Sequence, residues 1–487
     1  MKCMSHLPAW GLVGLLVAGP AVHARDLGEG AANNSASKAL QNADNRYALW
    51  SGIGRLAHRS GTSCTAALLD TRNRHGKAVG PAYLITAGHC VAFAYGTAHL
   101  DEPIDATITF SFFHDTPKQH MTYPTRMARW TSIVGTDLAI LEVEASLATL
   151  IKKGINPLKL ASHQHSTAHN VLNLGAPAGY KEKGLRLSAC SEGMAGTFID
   201  HPGVFSLAMR NLCDLRGGSS GSPMLDRQNN EITSIVSKVA ATSSNQASPD
   251  CHATAACQAA TFNYSYPANF LHLCFIEGIF DANAPDCSLK PVNLTVTQPW
   301  NIKAYVHTQK NTEGHITWPT WNFGFSLDDP FYRYKAVRNA RDCQTPGNYS
   351  DAIHSEDAYI NNGIGPQPGA HALCIMGVAS PAQPLTRSSL KNAFTHAVYL
   401  TSAESMPRIS PDYRVTWDLL HADFIHNFFY SAPADGQHCG DIDDPRYKPV
   451  PESITFAEEQ LPIMLCSYVR NRSGQPSSIR TDLIERP

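Results

Sequence analysis

From Tyr47 onward the apolar residues come in short runs: Ala82 to Thr86, Ile108 to Phe113, Leu138 to Val143, Val171 to Leu174, Ser206 to Met209 and Ile232 to Val239, each bounded by Gly, Asn, Asp or Pro. Runs of this length with that punctuation suit antiparallel strands rather than helices. The 34 Gly and 31 Pro supply the many turns such a plan needs, so an all-β fold is expected. With 43% hydrophobic and 16% charged residues the chain can bury a sizeable core, and its 487 residues suit two or three domains. Lys and Arg number 39 against 41 Asp and Glu, a net charge of -2 that gives no basic field for nucleic acid or an anionic membrane. One helix is expected over Asn269 to Phe280, where Phe270, Leu271, Cys274, Phe275 and Ile279 recur at about helical spacing. The Pro- and Asn-containing stretch 283–291 then marks a domain boundary.

Residues 1–24 have the form of a signal peptide: Lys2, an interrupted apolar stretch from Ala9 to Ala18, and small residues in Ala21-Val22-His23-Ala24 placed for cleavage before Arg25. No later run reaches the 18 uncharged apolar residues of a membrane helix, so no membrane span is expected. Residues 25–48 are rich in Gly, Ala, Asn and Ser and predict a linker or short pro-segment. The destination is secreted or periplasmic. Of 13 cysteines, Cys3 leaves with the signal; the other twelve are even in number and belong to an exported chain, which favours disulfides over free thiols. Cys251-His252 and Cys257 have no second Cys or His pair at zinc-finger distance. His163, His165 and His169 fall in a segment rich in Ser, Thr and His, with no carboxylate or fixed helical period to support a site, so no metal ligation is expected there, and no cofactor anywhere.

The last two hundred residues are duplicated. Ile316-Thr317-Trp318, Phe331-Tyr332, Cys343 and Leu373-Cys374 recur as Val415-Thr416-Trp417, Phe429-Tyr430, Cys439 and Leu465-Cys466. Each copy, 291–395 and 396–487, has the size of a small β-sandwich with a Trp to fill the space between sheets. The pattern resembles fibronectin type III-like modules appended to bacterial exported enzymes. Their matching places put Trp318 and Trp417 in the cores and leave Trp321 as the exposed candidate for stacking on a ligand.

Three motifs bear on chemistry. Leu84-Ile85-Thr86-Ala87-Gly88-His89-Cys90 is an apolar strand ending in a small-residue turn that presents a histidine. Gly135-Thr136-Asp137-Leu138-Ala139-Ile140-Leu141 sets an aspartate on the lip of a buried strand. Gly217-Gly218-Ser219-Ser220-Gly221-Ser222-Pro223 holds a glycine-flanked serine on a tight loop. Singly, these are a core histidine, a strand-end acid and a loop serine. In this order, with gaps of 48 and 83 residues, they resemble the trypsin/chymotrypsin family of serine peptidases over residues 49–290.

The resemblance implies a chymotrypsin-like double β-barrel with His89 as general base, Asp137 orienting it and Ser220 as nucleophile, since a serine hydroxyl needs a base within reach. It puts the oxyanion donors on the amides of Gly218 and Ser220. Ser237 falls where the family binds the aspartate and lines the substrate strand, and Val239 narrows the pocket. Asp214 falls where trypsin-like members pair with a basic side chain, although a turn or ion-pair role beside Arg216 remains open. Locality and resemblance together suggest the disulfides Cys64–Cys90, Cys190–Cys213, Cys251–Cys257, Cys274–Cys287, Cys343–Cys374 and Cys439–Cys466. Ser219 stands where vertebrate members carry the acid that receives a new N-terminal ammonium, so no such insertion beside Ser219 is expected.

The expected protein is therefore an exported serine endopeptidase followed by two β-sandwich modules that bind a protein substrate, cell-surface or matrix component. The alternatives are a catalytically silent peptidase-like adhesion protein, and an esterase, whose usual order of Ser, Asp, His disagrees with this chain.

Overall fold

The computed structural model describes residues 36–486 apart from 92–97, 201–202, 241–261, 298–304, 311–315, 402–406, 418–423, 472–475 and positions 285, 288, 290, 291, 293, 308, 368, 387, 388, 436, 437 and 452. The expected signal peptide and the pair Cys251–Cys257 lie outside the described residues. Strands dominate, as the short apolar runs require.

Six strands close the first barrel: β2 (Ile53–His58), β3 (Ser63–Leu68), β4 (Pro81–Thr86), β5 (Ala98–Phe110), β6 (Met121–Ser132) and β7 (Leu138–Ser146), in the order β2-β3-β4-β7-β6-β5. The ring shuts where Arg55 pairs with Thr109. The second barrel runs β9 (Arg186–Asp200), β10 (Gly203–Asn211), β13 (Asn263–Pro267), β12 (Ile232–Lys238), β11 (Pro223–Asp226) and β8 (His169–Gly175), and closes by pairing β8 with β9. The chain thus folds as a chymotrypsin-like double barrel followed by sheet modules.

Burial explains why β4 and β7 read as apolar runs and why β3 beside them is built of small and apolar residues. Side chains alternate across a strand. Leu68, Leu84 and Leu141 fill the first barrel, while their neighbours Ala67, Tyr83, Ile85 and Ile140 join a second cluster with Leu172, Leu174, Leu225 and Ile235 of the other barrel. Both faces of these strands are dry, so the few polar side chains buried on them, Thr65, Thr86 and Glu142, are hydrogen-bonded. The two barrels share one core at their seam.

The segment expected as a linker is built into this core from Ala36 onward. β1 (Lys38–Ala39) pairs with β9. Leu40 and Trp50 are buried, and the Trp50 indole donates to Asn230 Oδ1 of the second barrel at 2.7 Å. The composition of 25–48 hid this, because within it only Leu40 and Tyr47 join the buried core, with Trp50 just beyond it. The expected helix also differs: Asn269–Cys274 is a 3-10 turn, and Phe275–Ile276 and Ile279–Phe280 form a hairpin around Glu277 and Gly278, both at positive φ. A Cβ on Gly278 would meet the Thr71 carbonyl at 2.8 Å. The chain turns there because a glycine permits the close approach.

Beyond this, Leu294–Val296, Phe323–Leu327 and Tyr359–Ile360 form one sheet, facing a five-stranded sheet whose centre is Gly369–Val378. A further pair of sheets, three-stranded around Arg414–Trp417 and four-stranded around Phe424–Pro433 and Ile463–Asn471, follows. Cys374 and Cys466 sit in corresponding strands, bonded to Cys343 and Cys439. Trp417 is in a core as expected, but Trp318 and Trp321 exchange places. Trp321 and Trp417 are buried, and Trp318 is 43% exposed, its ring lying against Gly365. Trp321 stands 22 residues before Cys343, the same gap as Trp417 to Cys439, so the repeat register is three residues later than its Thr-Trp match suggests. The first module meets the second barrel through Val204 packed with Ala340, Ala372 and Ala397. Among the described residues no helix is long and apolar enough to cross a membrane.

Candidate active site

His89 sits on the single 3-10 turn Gly88–Cys90 that ends β4. A Cβ at Gly88 would lie 2.4 Å from the Ser132 carbonyl, so only glycine lets this turn press against the strand leading to Asp137. Asp137, just ahead of β7, is almost wholly buried and accepts from three donors. Its Oδ1 takes the His89 amide at 2.7 Å, and its Oδ2 takes the His89 Nδ1–H at 2.6 Å and the Ser237 hydroxyl. A carboxylate only accepts, so Nδ1 carries the proton and Nε2 is left as the basic nitrogen of the neutral ring. Burial of His89 lowers its pKa, but the hydrogen bond and charge of Asp137 outweigh it and leave the ring above its ordinary value. Cys90 is tied to Cys64, fixing the turn to β3.

Ser220 lies on the loop entering β11. Its Oγ donates to the Ser237 carbonyl at 3.2 Å, so Ser237 touches both the aspartate and the serine. Thr65 of β3 holds the loop from the other barrel: its amide donates to the Ser220 carbonyl at 2.8 Å and its hydroxyl to the Gly218 carbonyl at 2.9 Å. The Gly217 carbonyl takes the Ala178 amide at 2.9 Å, which fixes the peptide that carries the Gly218 N–H. Among the described residues the amides of Gly218 and Ser220 have no acceptor, where most buried or constrained backbone donors have one. Gly218 (φ +93°) and Gly221 (φ +82°) are in the left-handed region, and a Cβ on Gly221 would lie 2.1 Å from the Thr65 carbonyl. Thr65 carries no sequence signal beyond standing next to Cys64; only the tertiary structure brings it to the loop.

The remaining expected site residues are placed as follows. Asp214 Oδ2 accepts from the amide and hydroxyl of Ser37 at 2.8 and 2.9 Å, with the Tyr180 hydroxyl at 3.4 Å. The Tyr180 ring lies under the guanidinium groups of Arg186 and Arg216, at 3.8 and 4.2 Å. The described chain therefore does reach toward the serine loop from its N-terminal side, at Asp214 and not at Ser219. Val239 packs near the Cys190–Cys213 disulfide. Cys274–Cys287 closes the last turn of the domain. The grouping of Cys64, His89 and Cys90 offers no metal site, because both sulfurs are spent in a disulfide.

Two barrels sharing a seam, with a histidine from one and a serine loop from the other, define the serine-endopeptidase class. Residues 71–233, about a third of the chain, match the family described as the trypsin-like peptidase domain, and the chain carries a domain of that family. Among solved structures the chain is similar to a thermostable serine protease, AL20, from an extremophilic microorganism (16% identity, 45% of this chain and 92% of that one, TM-score 0.32). It is also similar to a Glu endopeptidase (15%, 48% and 91%, 0.32) and to the protease Anisep from Arthrobacter nicotinovorans (14%, 45% and 90%, 0.31). No curated protein matches the chain. Disulfides in a peptidase domain are consistent with an extracellular or periplasmic setting.

Proposed function

We propose that the protein hydrolyses peptide bonds by the acyl-enzyme route, with Ser220 as nucleophile, His89 as general base and then general acid, and Asp137 holding the imidazole. The observation that carries this reading is the double engagement of Ser237, whose hydroxyl fixes Asp137 and whose carbonyl receives Ser220. His89 Nε2 takes the serine proton as Oγ attacks the carbonyl carbon, and the buried Asp137 stabilises the imidazolium that forms. The oxyanion is received by the amides of Gly218 and Ser220, each such donor accounting for a factor of about 100 to 1,000 in turnover. The protonated His89 then gives its proton to the leaving amine, and water repeats the sequence on the ester. A substrate segment pairs along β12 beside Ser237, the usual way an extended chain adds to a sheet edge. Residues 1–24 direct export, and the two C-terminal modules hold the enzyme on a protein, cell-surface or matrix component.

The test is labelling of the purified protein by a fluorophosphonate probe beside Ser220→Ala, followed by sequencing of bonds cut in a mixed peptide pool. Labelling of the wild type alone is expected. Absence of labelling between pH 6 and 9 would overturn the catalytic reading in favour of the silent adhesion protein. The cut bonds also report on Asp214: cuts after Lys or Arg assign it to the substrate side chain, and cuts elsewhere assign it to Ser37 alone.

A further inference from the structure

The histidine cluster lacks a carboxylate only in the sequence. Strand pairing supplies one. Asp226 ends β11 opposite Val171 of β8, so His169, two residues along β8 on the same face, is its diagonal neighbour. His165, on the loop entering β8, brings Nε2 to 3.1 Å from Asp226 Oδ2 and stacks on the His169 ring at 3.9 Å. One ligand atom from each of the three residues lies within 4.8 Å of the others.

Three further features suit ligation. The Asp226 carboxylate is aimed: the amides of Gln228 and Asn229 donate to Oδ1 at 2.8 and 3.1 Å, which leaves Oδ2 facing the histidines. Both nitrogens of His169 are buried with no well-formed hydrogen bond among the described residues, beyond a weak contact to the backbone of Thr167. A buried imidazole without partners is costly unless something fills its donor and acceptor positions. His163 is exposed, with its ring 6.1 Å from that of His165.

We propose that His165, His169 and Asp226 form a binding site for one divalent transition ion of the zinc type. Two imidazoles and a carboxylate are the donors such ions take, and they leave a fourth position for water or His163. A tetrahedral zinc shell has ligand atoms about 3.4 Å apart. Binding therefore draws the three residues together and splays the stacked rings, a movement the irregular loop carrying His165 permits. The site lies away from the serine, yet it joins the two strands that frame the serine loop. β11 starts at Pro223, directly after Ser222, and β8 contains Asn173, whose Nδ2 donates to Ser222 Oγ at 2.7 Å. An ion there clasps the far ends of both strands, so its role is structural, and it binds the folded state alone.

The experiment uses the full processed chain, stripped with chelator, titrated with zinc chloride by calorimetry and melted with and without excess zinc. One equivalent of zinc is expected to bind the wild type and raise its melting temperature by several degrees. Loss of a group that merely holds a ligand costs about 10–100-fold in affinity, so His165→Ala is expected to cost at least about 100-fold and to abolish the shift. Asp226→Asn, which still accepts the turn amides, guards against a folding defect and is expected to lose the same binding while melting normally without zinc. Zinc that binds His165→Ala and Asp226→Asn as tightly as the wild type sits elsewhere, for example on His89, and overturns the proposal. Absence of saturable binding by the wild type overturns it equally.

Discussion

Two His–Asp pairs, one in each barrel, use the same residue types to opposite ends. Asp137 is closed on every side, by the His89 ring, the His89 backbone and a serine from the other barrel. Asp226 gives one oxygen to its own turn and keeps the other turned toward two histidines, one of which has no settled partner. The pKa values diverge accordingly. His89 is held up by its aspartate despite burial, whereas burial, and then the nearby His165, bring His169 down to about 4. What separates a proton-handling histidine from a ligand-ready one is the number of donors already committed to the carboxylate behind it.

That contrast can be broken from either side. Asp137→Asn is expected to lower kcat on a peptide substrate by about 10,000-fold, because an amide donor favours the wrong tautomer of His89. Gly218→Ala comes next. Its φ of +93° and a Cβ only 2.8 Å from the Ala178 amide must displace the loop, at an expected cost of about 100 to 1,000-fold in kcat with substrate affinity less affected. Ser237→Ala removes one donor from Asp137 and so moves the first pair toward the second; a loss of roughly tenfold in kcat is expected, in line with a hydrogen bond to a charged group. Unchanged kinetics there would show that Ser237 only packs.

The pH profile gives a finer test. His89 must be neutral to act as a base, and its folded pKa is raised, so the acid limb of kcat/KM is expected above about 6.5 and should fall in Asp137→Asn. The same shift stabilises the fold fully below about 6.5 and is lost as pH rises through the folded value, so melting temperature and activity should move in opposite directions across that window. The smallest effect is expected of Asp226→Asn in metal-free buffer. His165 is partly exposed and the amide still accepts the turn N–H groups of Gln228 and Asn229, so losing the pair costs no more than about 1 kcal/mol, read as a small change in the denaturation midpoint.

The strand class was legible because β4 and β7 bury both faces, and two-sided burial leaves its mark as apolar runs; the double barrel was legible only through the resemblance that the three motifs carry. His89, Asp137 and Ser220 were legible because glycines and small residues must flank them to turn the backbone. Thr65 was not, since its work is done by a backbone amide and a hydroxyl against a loop more than 150 residues away. The carboxylate of Asp226 was equally hidden, because a ligand delivered by cross-strand pairing has no local spacing. Composition misjudged residues 36–48, where two large side chains, Leu40 and Tyr47, do the anchoring amid small ones. A three-residue slip in reading the repeat exchanged Trp318 for Trp321.

The contact between Val204 of the second barrel and Ala340, Ala372 and Ala397 of the first module has a bearing on how the enzyme would meet its target. Methyl groups bring backbones close, and Val337, Ala370 and Tyr399 pack around them. A catalytic head on a loose tether samples every heading and cuts whatever drifts past. Under the anchoring role proposed above, a head seated on such a footing would face one way, and the heading of the module would set which stretches of a held substrate come within range. Replacing those alanines with bulky residues would trade aim for reach.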